Sequence, residues 1–216
     1  MKDALRDRLR LYFVAGSVNV RKDPGRVLEA AIRGGITMFQ FREKGENALV
    51  DGDKRRLALE LKEICRRCKI PFIVNDDVEL ALEVDADGVH VGQEDLPAEE
   101  VRKRIGDKIL GVSAHDAEEA LQAVRAGADY LGVGPMHGTL TKRDIRPVRG
   151  PVVIEEIRRA GVRLPMVGIG GIGPGRVEDV MKRGADGIAV ISAVAGAEDP
   201  KMAARWLRAE VDRFVR

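Results

Sequence analysis

The sequence predicts a (β/α)8 barrel, and three observations predict it. Eight short apolar runs alternate with helical patterns along the chain. Most of these runs are continuous rather than alternating, as in parallel strands buried on both faces. One unit also recurs. Val84-Asp-Ala-Asp-Gly-Val-His-Val91, Ala126-Gly-Ala-Asp-Tyr-Leu-Gly-Val133 and Arg183-Gly-Ala-Asp-Gly-Ile-Ala-Val190 each lead through an Ala-Asp turn into an apolar strand. Equivalent units suit a closed wheel near the short end of the usual barrel length. The competing architecture is an open doubly wound sheet. It normally carries a glycine fingerprint after its first strand, and Leu11-Tyr-Phe-Val-Ala-Gly-Ser17 has none.

The elements follow in order. Leu11–Ala15 is the first strand. Pro24 opens a helix carrying Val27, Leu28, Ala31 and Ile32, which stops at Gly34-Gly35. Ile36–Phe41 is strand two. A long helix spans Asp53–Cys68, with Leu57, Leu61, Ile64, Cys65 and Cys68 on one face. Pro71–Val74 is strand three, Val78–Leu82 a short helix, and Ala86–Val91 strand four. Pro97 starts a helix that Gly106 ends. Ile109–Val112 is strand five, Asp116–Ala126 a helix, and Tyr130–Val133 strand six. A loop from Gly134 to Gly150 is longer than most connections and is the best candidate among the loops for one that closes over the site. Val152–Ala160 is a helix, Pro165–Ile169 strand seven, Pro174–Arg183 a helix, Gly187–Val190 strand eight, and Pro200–Phe214 a closing helix.

Composition bounds the function. With 216 residues, 44% hydrophobic and 33% charged, residues 1–216 suit one globular domain with a substantial core. The 37 basic residues balance 35 acidic ones to a net charge of +2, and no basic stripe points to nucleic acid. No apolar run is long enough to span a bilayer, and MKDALRDRLR lacks a signal-peptide core. No nucleic-acid or membrane partner is therefore expected, and the strand-end residues below point to small molecules. The expected location is the cytoplasm, and a homo-oligomer is compatible with the sequence. Cys65 and Cys68 form a C-x-x-C in the last turn of a helix, the wrong end for a redox motif and too few ligands for structural zinc. Both read as buried helix-face residues.

In a barrel of this class the chemistry sits at the C-terminal ends of the strands. Strand two offers Gln40, Arg42 and Lys44, which alternate and so share a face. Strand three offers Asn75 and Asp76, and strand four Gln93 and Asp95. Parallel neighbours lie about 4.8 Å apart, so Asp76 and Asp95 would sit at one rim and share a Mg²⁺ ion. Asp76 or Asp77 would serve equally as a helix cap. Strand five ends at Ser113, and the strand-six loop carries His137, Thr139, Thr141 and Lys142. Strand seven ends in Gly168-Ile-Gly-Gly171, and strand eight in Ile191-Ser192. Three cations and two acids suit a metal-bound polyanion. The glycine turn and the helix start after strand eight suit a second phosphate. His90 reads as a packed barrel side chain and His115 as a helix-start residue. No nucleophile–base–acid triad is visible.

These residues carry a family resemblance over nearly the whole chain. Gln40-Phe-Arg-Glu-Lys44, Asn75-Asp-Asp77, His90-Val-Gly-Gln-Glu-Asp95, Gly111-Val-Ser-Ala-His115, Gly134-Pro135 with Thr139-Leu-Thr-Lys142, Gly168-Ile-Gly-Gly171 and Val190-Ile-Ser-Ala193 together resemble thiamine phosphate synthases. The resemblance implies a Mg²⁺-dependent condensation of 4-amino-2-methyl-5-(hydroxymethyl)pyrimidine diphosphate with a thiazole phosphate. It assigns Gln40, Arg42, Lys44, Asn75, Ser113 and Lys142 to the pyrimidine diphosphate. Among these, Arg42, Lys44, Ser113 and Lys142 are the catalytic set. It assigns Asp76 and Asp95 to Mg²⁺. Thr139, Thr141, Gly171, Ile191 and Ser192 go to the thiazole phosphate. His137 and Gly138 depart from the family's usual aromatic residue and proline. The thiazole tautomerases share the fold and carry a histidine after the loop glycine, where this chain has Pro135. A tautomerase-type isomerase is the alternative activity.

Overall fold

The structure is a computed structural model that describes residues 2–138 and 148–215. A short helix α1 (Lys2–Arg8) precedes strand β1 (Leu11–Ala15). The other strands are β2 (Met38–Phe41), β3 (Phe72–Asn75), β4 (Gly88–Val91), β5 (Ile109–Ala114), β6 (Tyr130–Val133), β7 (Met166–Ile169) and β8 (Gly187–Val190). Between successive strands lie α2 (Pro24–Gly34), α3 (Asp51–Arg67), α4 (Val78–Glu83), α5 (Ala98–Ile105), α6 (Ala117–Arg125), α7 (Val152–Arg159) and α8 (Val177–Lys182). After β8 come a one-turn helix α9 (Ser192–Ala195) and α10 (Pro200–Asp212). Every strand pairs in parallel with its sequence neighbours, and β1 pairs with β8, so the sheet closes into the expected barrel.

Alternation along each strand divides the apolar residues into two sets. Leu9, Tyr12, Val14, Met38, Ile73, Tyr130, Val167 and Ala189 cluster inside the barrel. A larger set, including Phe13, Phe39, Phe72, Val74 and Val89, packs under the surrounding helices. Phe13, Phe39 and Phe72 form a run of ring contacts on the outer face of β1–β3, at centroid separations of 5.6 and 6.0 Å.

The recurring Ala-Asp unit has a mechanical role. Asp87 Oδ2 accepts from Phe72 N–H, Asp129 Oδ2 from Leu110 N–H, and Asp186 Oδ2 from Met166 N–H, each at 2.8 Å. In return, the backbone N–H of each Asp donates to the carbonyl of that same residue. Each even strand thus enters the barrel clamped to the strand before it. Thr37 does the same between β1 and β2, its Oγ1 accepting from Leu11 N–H at 2.9 Å and donating to Leu11 O at 3.1 Å. A hydroxyl replaces the carboxylate there, which hides the fourth copy from a search for Ala-Asp. Arginines reinforce two clamps. Arg102 Nη2 reaches Asp129 at 2.6 Å and Arg158 Nη2 reaches Asp186 at 2.7 Å, while both guanidiniums also donate to nearby carbonyls. Arg6 of α1 makes a further ion pair with Asp186.

Several boundaries differ from expectation. β2 begins at Met38 because Gly35 turns through φ +103° and Thr37 is used in the clamp. β5 continues to Ala114, paired with Val133. α8 starts only at Val177, after the turn at Gly175 (φ +78°). α10 stops at Asp212. The sequence reading also missed α1, whose residues are mostly charged, and α9, which is too short to show a period. Cys65 is buried as expected, but Cys68 is exposed, because it follows the last residue of α3 as its C-cap. Removing the most heavily used clamp has a measurable cost. Asp186→Ala removes the carboxylate partner of two guanidiniums and strands a strand N–H, and is expected to lower unfolding stability by about 2–4 kcal/mol. Asp129→Ala, at a more exposed carboxylate with one arginine, should cost less. Denaturant unfolding of both variants checks the order.

Candidate active site

Three connections build one side of the barrel mouth. After β2 the chain runs on as Arg42-Glu43-Lys44. Lys44 Nζ reaches Asp76 Oδ2 at 2.8 Å and lies 3.9 Å from Asp95 Oδ1. The two acids from adjacent strand ends therefore meet at one rim through one ammonium. Asp76 sits at φ +61°, a left-handed conformation that Asp tolerates better than most residues. Its N–H donates to His90 O at 2.8 Å, which ties the end of β3 to β4. The next residue, Asp77, is the helix cap: Oδ1 accepts from Leu80 N–H at 3.0 Å and Oδ2 from Lys54 at 2.6 Å. Asp95 is held by Gly92 N–H at 2.8 Å. The capping role that the sequence left open between these acids falls to Asp77, while Asp76 pairs with Lys44 at the rim.

Charge at this rim is unevenly balanced. Hydrogen bonding to Asp76 holds the Lys44 ammonium above its ordinary pKa, and Arg42 opposes it. The Asp95 carboxyl is also raised, first by burial and then by its hydrogen bond with Asp76. The donor set fits a small divalent cation. Mg²⁺ takes one or two protein carboxylates and completes its shell with water and phosphate oxygens. No cluster of three or more His, Cys, Asp or Glu occurs among the described residues. Asp76 and Asp95 bring two carboxylates to this rim, the number such an ion takes from protein. A cleft of about 590 Å³ between the β2–α3 connection and α4 shares only Lys44 with this set.

Deeper in the mouth, Gln40 and Ser113 face the interior. Gln40 is 4% exposed, and its Nε2 donates to Tyr12 Oη at 2.7 Å. Ser113 Oγ lies 3.0 Å from His90 Nε2, and Gln93 Nε2 donates to the Ser113 carbonyl. His90 is the packed barrel residue expected. His115 stands at a helix start, its N–H and Nδ1 both 2.7 Å from Glu119 Oε2. Asn75 ends β3, half-buried beside Asp76. Glu43 was not singled out by the sequence, yet it fastens two loops. Its carboxylate accepts from Ser17 N–H, Ser17 Oγ and Leu49 N–H. Its place between Arg42 and Lys44 is the only signal, because alternation turns it away from their face.

The second group lies on the other side of the ring, at β6–β8. The strand-six loop runs beside the β7 turn, with Met136 N–H donating to Ile169 O at 2.9 Å and His137 N–H to Gly170 O at 3.0 Å. Gly171, at φ +62°, cannot be replaced without collision: a Cβ there would lie 2.6 Å from Gly138 O and 2.9 Å from His137 Cβ. Burial, aided by Arg176, lowers the His137 pKa, which favours the neutral ring. Ile191 is half-buried before α9, and exposed Ser192 opens that helix. Thr139, Thr141 and Lys142 lie outside the described residues.

A closed parallel barrel with ionisable groups and a glycine turn gathered at the strand C-termini defines an enzyme-type (β/α)8 barrel. The chain belongs to the thiamine monophosphate synthase family, whose model matches residues 11–194. It is 56% identical over 203 residues to a thiamine-phosphate synthase of Bacillus licheniformis, covering 94% of this chain and 91% of that one. It is 54% identical over 212 residues to the Geobacillus kaustophilus protein of the same name, covering 98% and 96%. Among solved structures, a thiamine phosphate pyrophosphorylase from Pyrococcus furiosus superposes with a TM-score of 0.89 at 37% identity, covering 98% of this chain and all of that one. A 3-hexulose-6-phosphate synthase, at 19% identity and a TM-score of 0.68, shares the fold.

The acid pair has a stability consequence. A carboxyl whose pKa rises on folding favours the fold at acid pH and loses that contribution as pH climbs through the raised value. Ionised Asp95 therefore costs stability in the metal-free protein near neutrality. Asp95→Asn keeps an acceptor for Gly92 N–H and removes the charge. Its melting temperature without metal is expected to exceed the parent's near about pH 7, with the gain vanishing below about pH 4. A melting temperature equal to or below the parent's at neutral pH would contradict this.

Proposed function

We propose that residues 1–216 act as one catalytic domain that makes thiamine phosphate. The substrates are 4-amino-2-methyl-5-(hydroxymethyl)pyrimidine diphosphate and 4-methyl-5-(2-phosphoethyl)thiazole, and the second product is pyrophosphate. The observation that carries this reading is the meeting of Asp76 and Asp95 at Lys44, across the ring from the Gly171 turn. One side suits a diphosphate with its metal. The other suits a phosphate held by backbone and small residues.

In this reading the pyrimidine CH2–O bond breaks heterolytically, and the electron pair leaves with pyrophosphate. The thiazole nitrogen then donates its lone pair to the resulting benzylic-type cation, forming the new C–N bond and a thiazolium. No protein group must add or remove a proton in the bond-making step. Arg42, Lys44 and Lys142 neutralise charge on the departing diphosphate, and the Ser113 hydroxyl donates to it. Asp76 and Asp95 would hold Mg²⁺, which when bound supplies positive charge to the phosphate oxygens. Gln40 and Asn75 orient the pyrimidine. Thr139, Thr141, Gly171, Ile191 and Ser192 anchor the thiazole phosphate, so that its nitrogen is in place before the cation can meet water. Phosphorylated substrates of this kind are retained inside cells, consistent with the cytoplasmic placement expected from the sequence. No helix of the described residues is long and apolar enough to cross a membrane.

A pyrophosphate-release assay with both substrates, with and without Mg²⁺, tests the reading. Release that needs both substrates and the metal is expected. Turnover of a thiazole tautomer in EDTA without pyrophosphate would replace it with the isomerase, which Pro135 disfavours. Binding of thiamine phosphate without turnover would replace it with a binding protein. Asp76→Ala and Lys142→Ala are each expected to lower turnover by about a hundredfold or more, the scale for losing one transition-state charge partner. Near-parental rates in both would refute the site.

A further inference from the structure

A line of polar side chains crosses the apolar barrel interior. Gln40 Nε2 donates to Tyr12 Oη at 2.7 Å. Tyr12 Oη lies 2.7 Å from Tyr130 Oη, Tyr130 Oη lies 3.0 Å from His90 Nδ1, and His90 Nε2 lies 3.0 Å from Ser113 Oγ. The line passes from β2 through β1, β6 and β4 to β5. Tyr12 and Tyr130 are 1% and 0% exposed, and His90 is 7% exposed. The space is reserved for it: a Cβ on Gly111 would lie 2.3 Å from Tyr130 Oη and 2.4 Å from His90 Nδ1. Its two ends, Gln40 and Ser113, are the residues the proposed function places against the pyrimidine diphosphate.

We infer that Tyr12, Tyr130 and His90 are positioning residues that set the hydrogen-bond polarity of the substrate groups at both ends. The direction follows from counting protons. The Gln40 amide nitrogen donates and cannot accept, so among the described residues Tyr130 is the acceptor left for the Tyr12 hydroxyl hydrogen. Tyr130, accepting from Tyr12, donates to His90 Nδ1. The imidazole proton is then on Nε2 and is given to Ser113 Oγ. Ser113 accepts within the line, which leaves its own hydroxyl hydrogen to be offered as a donor. Gln40 donates within the line, which leaves Oε1 as an acceptor. The mouth so presents an acceptor on β2, suited to an exocyclic amine, and a donor on β5, suited to a diphosphate oxygen. Burial holds both phenols above their ordinary pKa, so each keeps the one proton this order requires. The reversed order would expose the Gln40 amide hydrogens and the Ser113 lone pairs instead, a poor match to the same ligand.

This inference rests on the site reading above, and the tests separate the two. ¹⁵N-histidine NMR of the full chain, with the His90 signal identified by its loss in His90→Asn, should show a neutral ring protonated at Nε2 near neutral pH. A ring protonated at Nδ1, or at both nitrogens, would overturn the direction. Tyr130→Phe removes one oxygen and keeps the ring. It is expected to lower kcat/KM for the pyrimidine diphosphate by about ten- to a hundredfold while leaving KM for the thiazole phosphate unchanged. Its effect should shrink in a Ser113→Ala background, as for residues acting through one another. Equal losses for both substrates would indicate a structural role and overturn the inference. Parental kinetics in Tyr130→Phe, with Gln40→Ala and Ser113→Ala both slow, would overturn the inference alone. Parental kinetics in Gln40→Ala and Ser113→Ala would overturn the site reading and this inference with it. Should Tyr130→Phe fail to fold, the NMR result decides.

Discussion

Closure of eight parallel strands is the constraint from which the rest follows. A parallel ring sends every strand's C-terminal end to one rim, so groups from β2, β3 and β4 meet although they are far apart in sequence. Closure also makes side-chain parity absolute, since each residue points either to the barrel axis or to a helix. The clamps by Thr37, Asp87, Asp129 and Asp186 act at the opposite end, where even strands enter. They pin each pair by side chain as well as by ladder. A slip of one residue there would exchange the interior and exterior sets throughout the strand.

Much of this was legible in the sequence, and the limits have physical reasons. The eight runs were visible because strands buried on both faces are short and continuously apolar. The rim acids and cations were visible because strand ends are abrupt changes from apolar to charged residues. Boundaries slipped where a residue is recruited by a neighbour: Thr37 reads as strand but serves as a clamp. Gln40 reads as a polar residue at the mouth, yet it is buried and bonded to Tyr12. Nothing in Leu11-Tyr-Phe-Val-Ala15 distinguishes Tyr12 from a packed aromatic, because its partners come from β2 and β6. Long-range pairing of this kind leaves no periodic trace.

The rim shows why a site and a stable fold make different demands. Two carboxylates on neighbouring strand ends repel, and part of that repulsion is relieved by Lys44. In the proposed function a dication acts at this pair, and the Lys44 ammonium supplies one charge where two are wanted. Burial, and then the hydrogen bond with Asp76, leave Asp95 with a raised pKa, and in the proposed function a stronger cation relieves the pair. An Asn in place of Asp95 would still accept from Gly92 N–H and relieve the repulsion, but it would also remove the charge that the proposed metal requires.

The interior line poses the same question at depth. A barrel core of leucine and valine would pack without desolvating hydroxyls or an imidazole, and Gly111 shows that room was made at the expense of apolar contact. Satisfied buried networks are tolerated because every polar atom finds a partner, and they cost dearly when one member is lost. Such a network earns its place only if its order matters. A chain of single-proton donors has two orders, and the amide at one end selects between them. Its other end is a hydroxyl at the mouth, so the orientation of a group on β2 decides what a group on β5 can offer. Apolar packing could hold both residues in position, but it could not choose which of them donates.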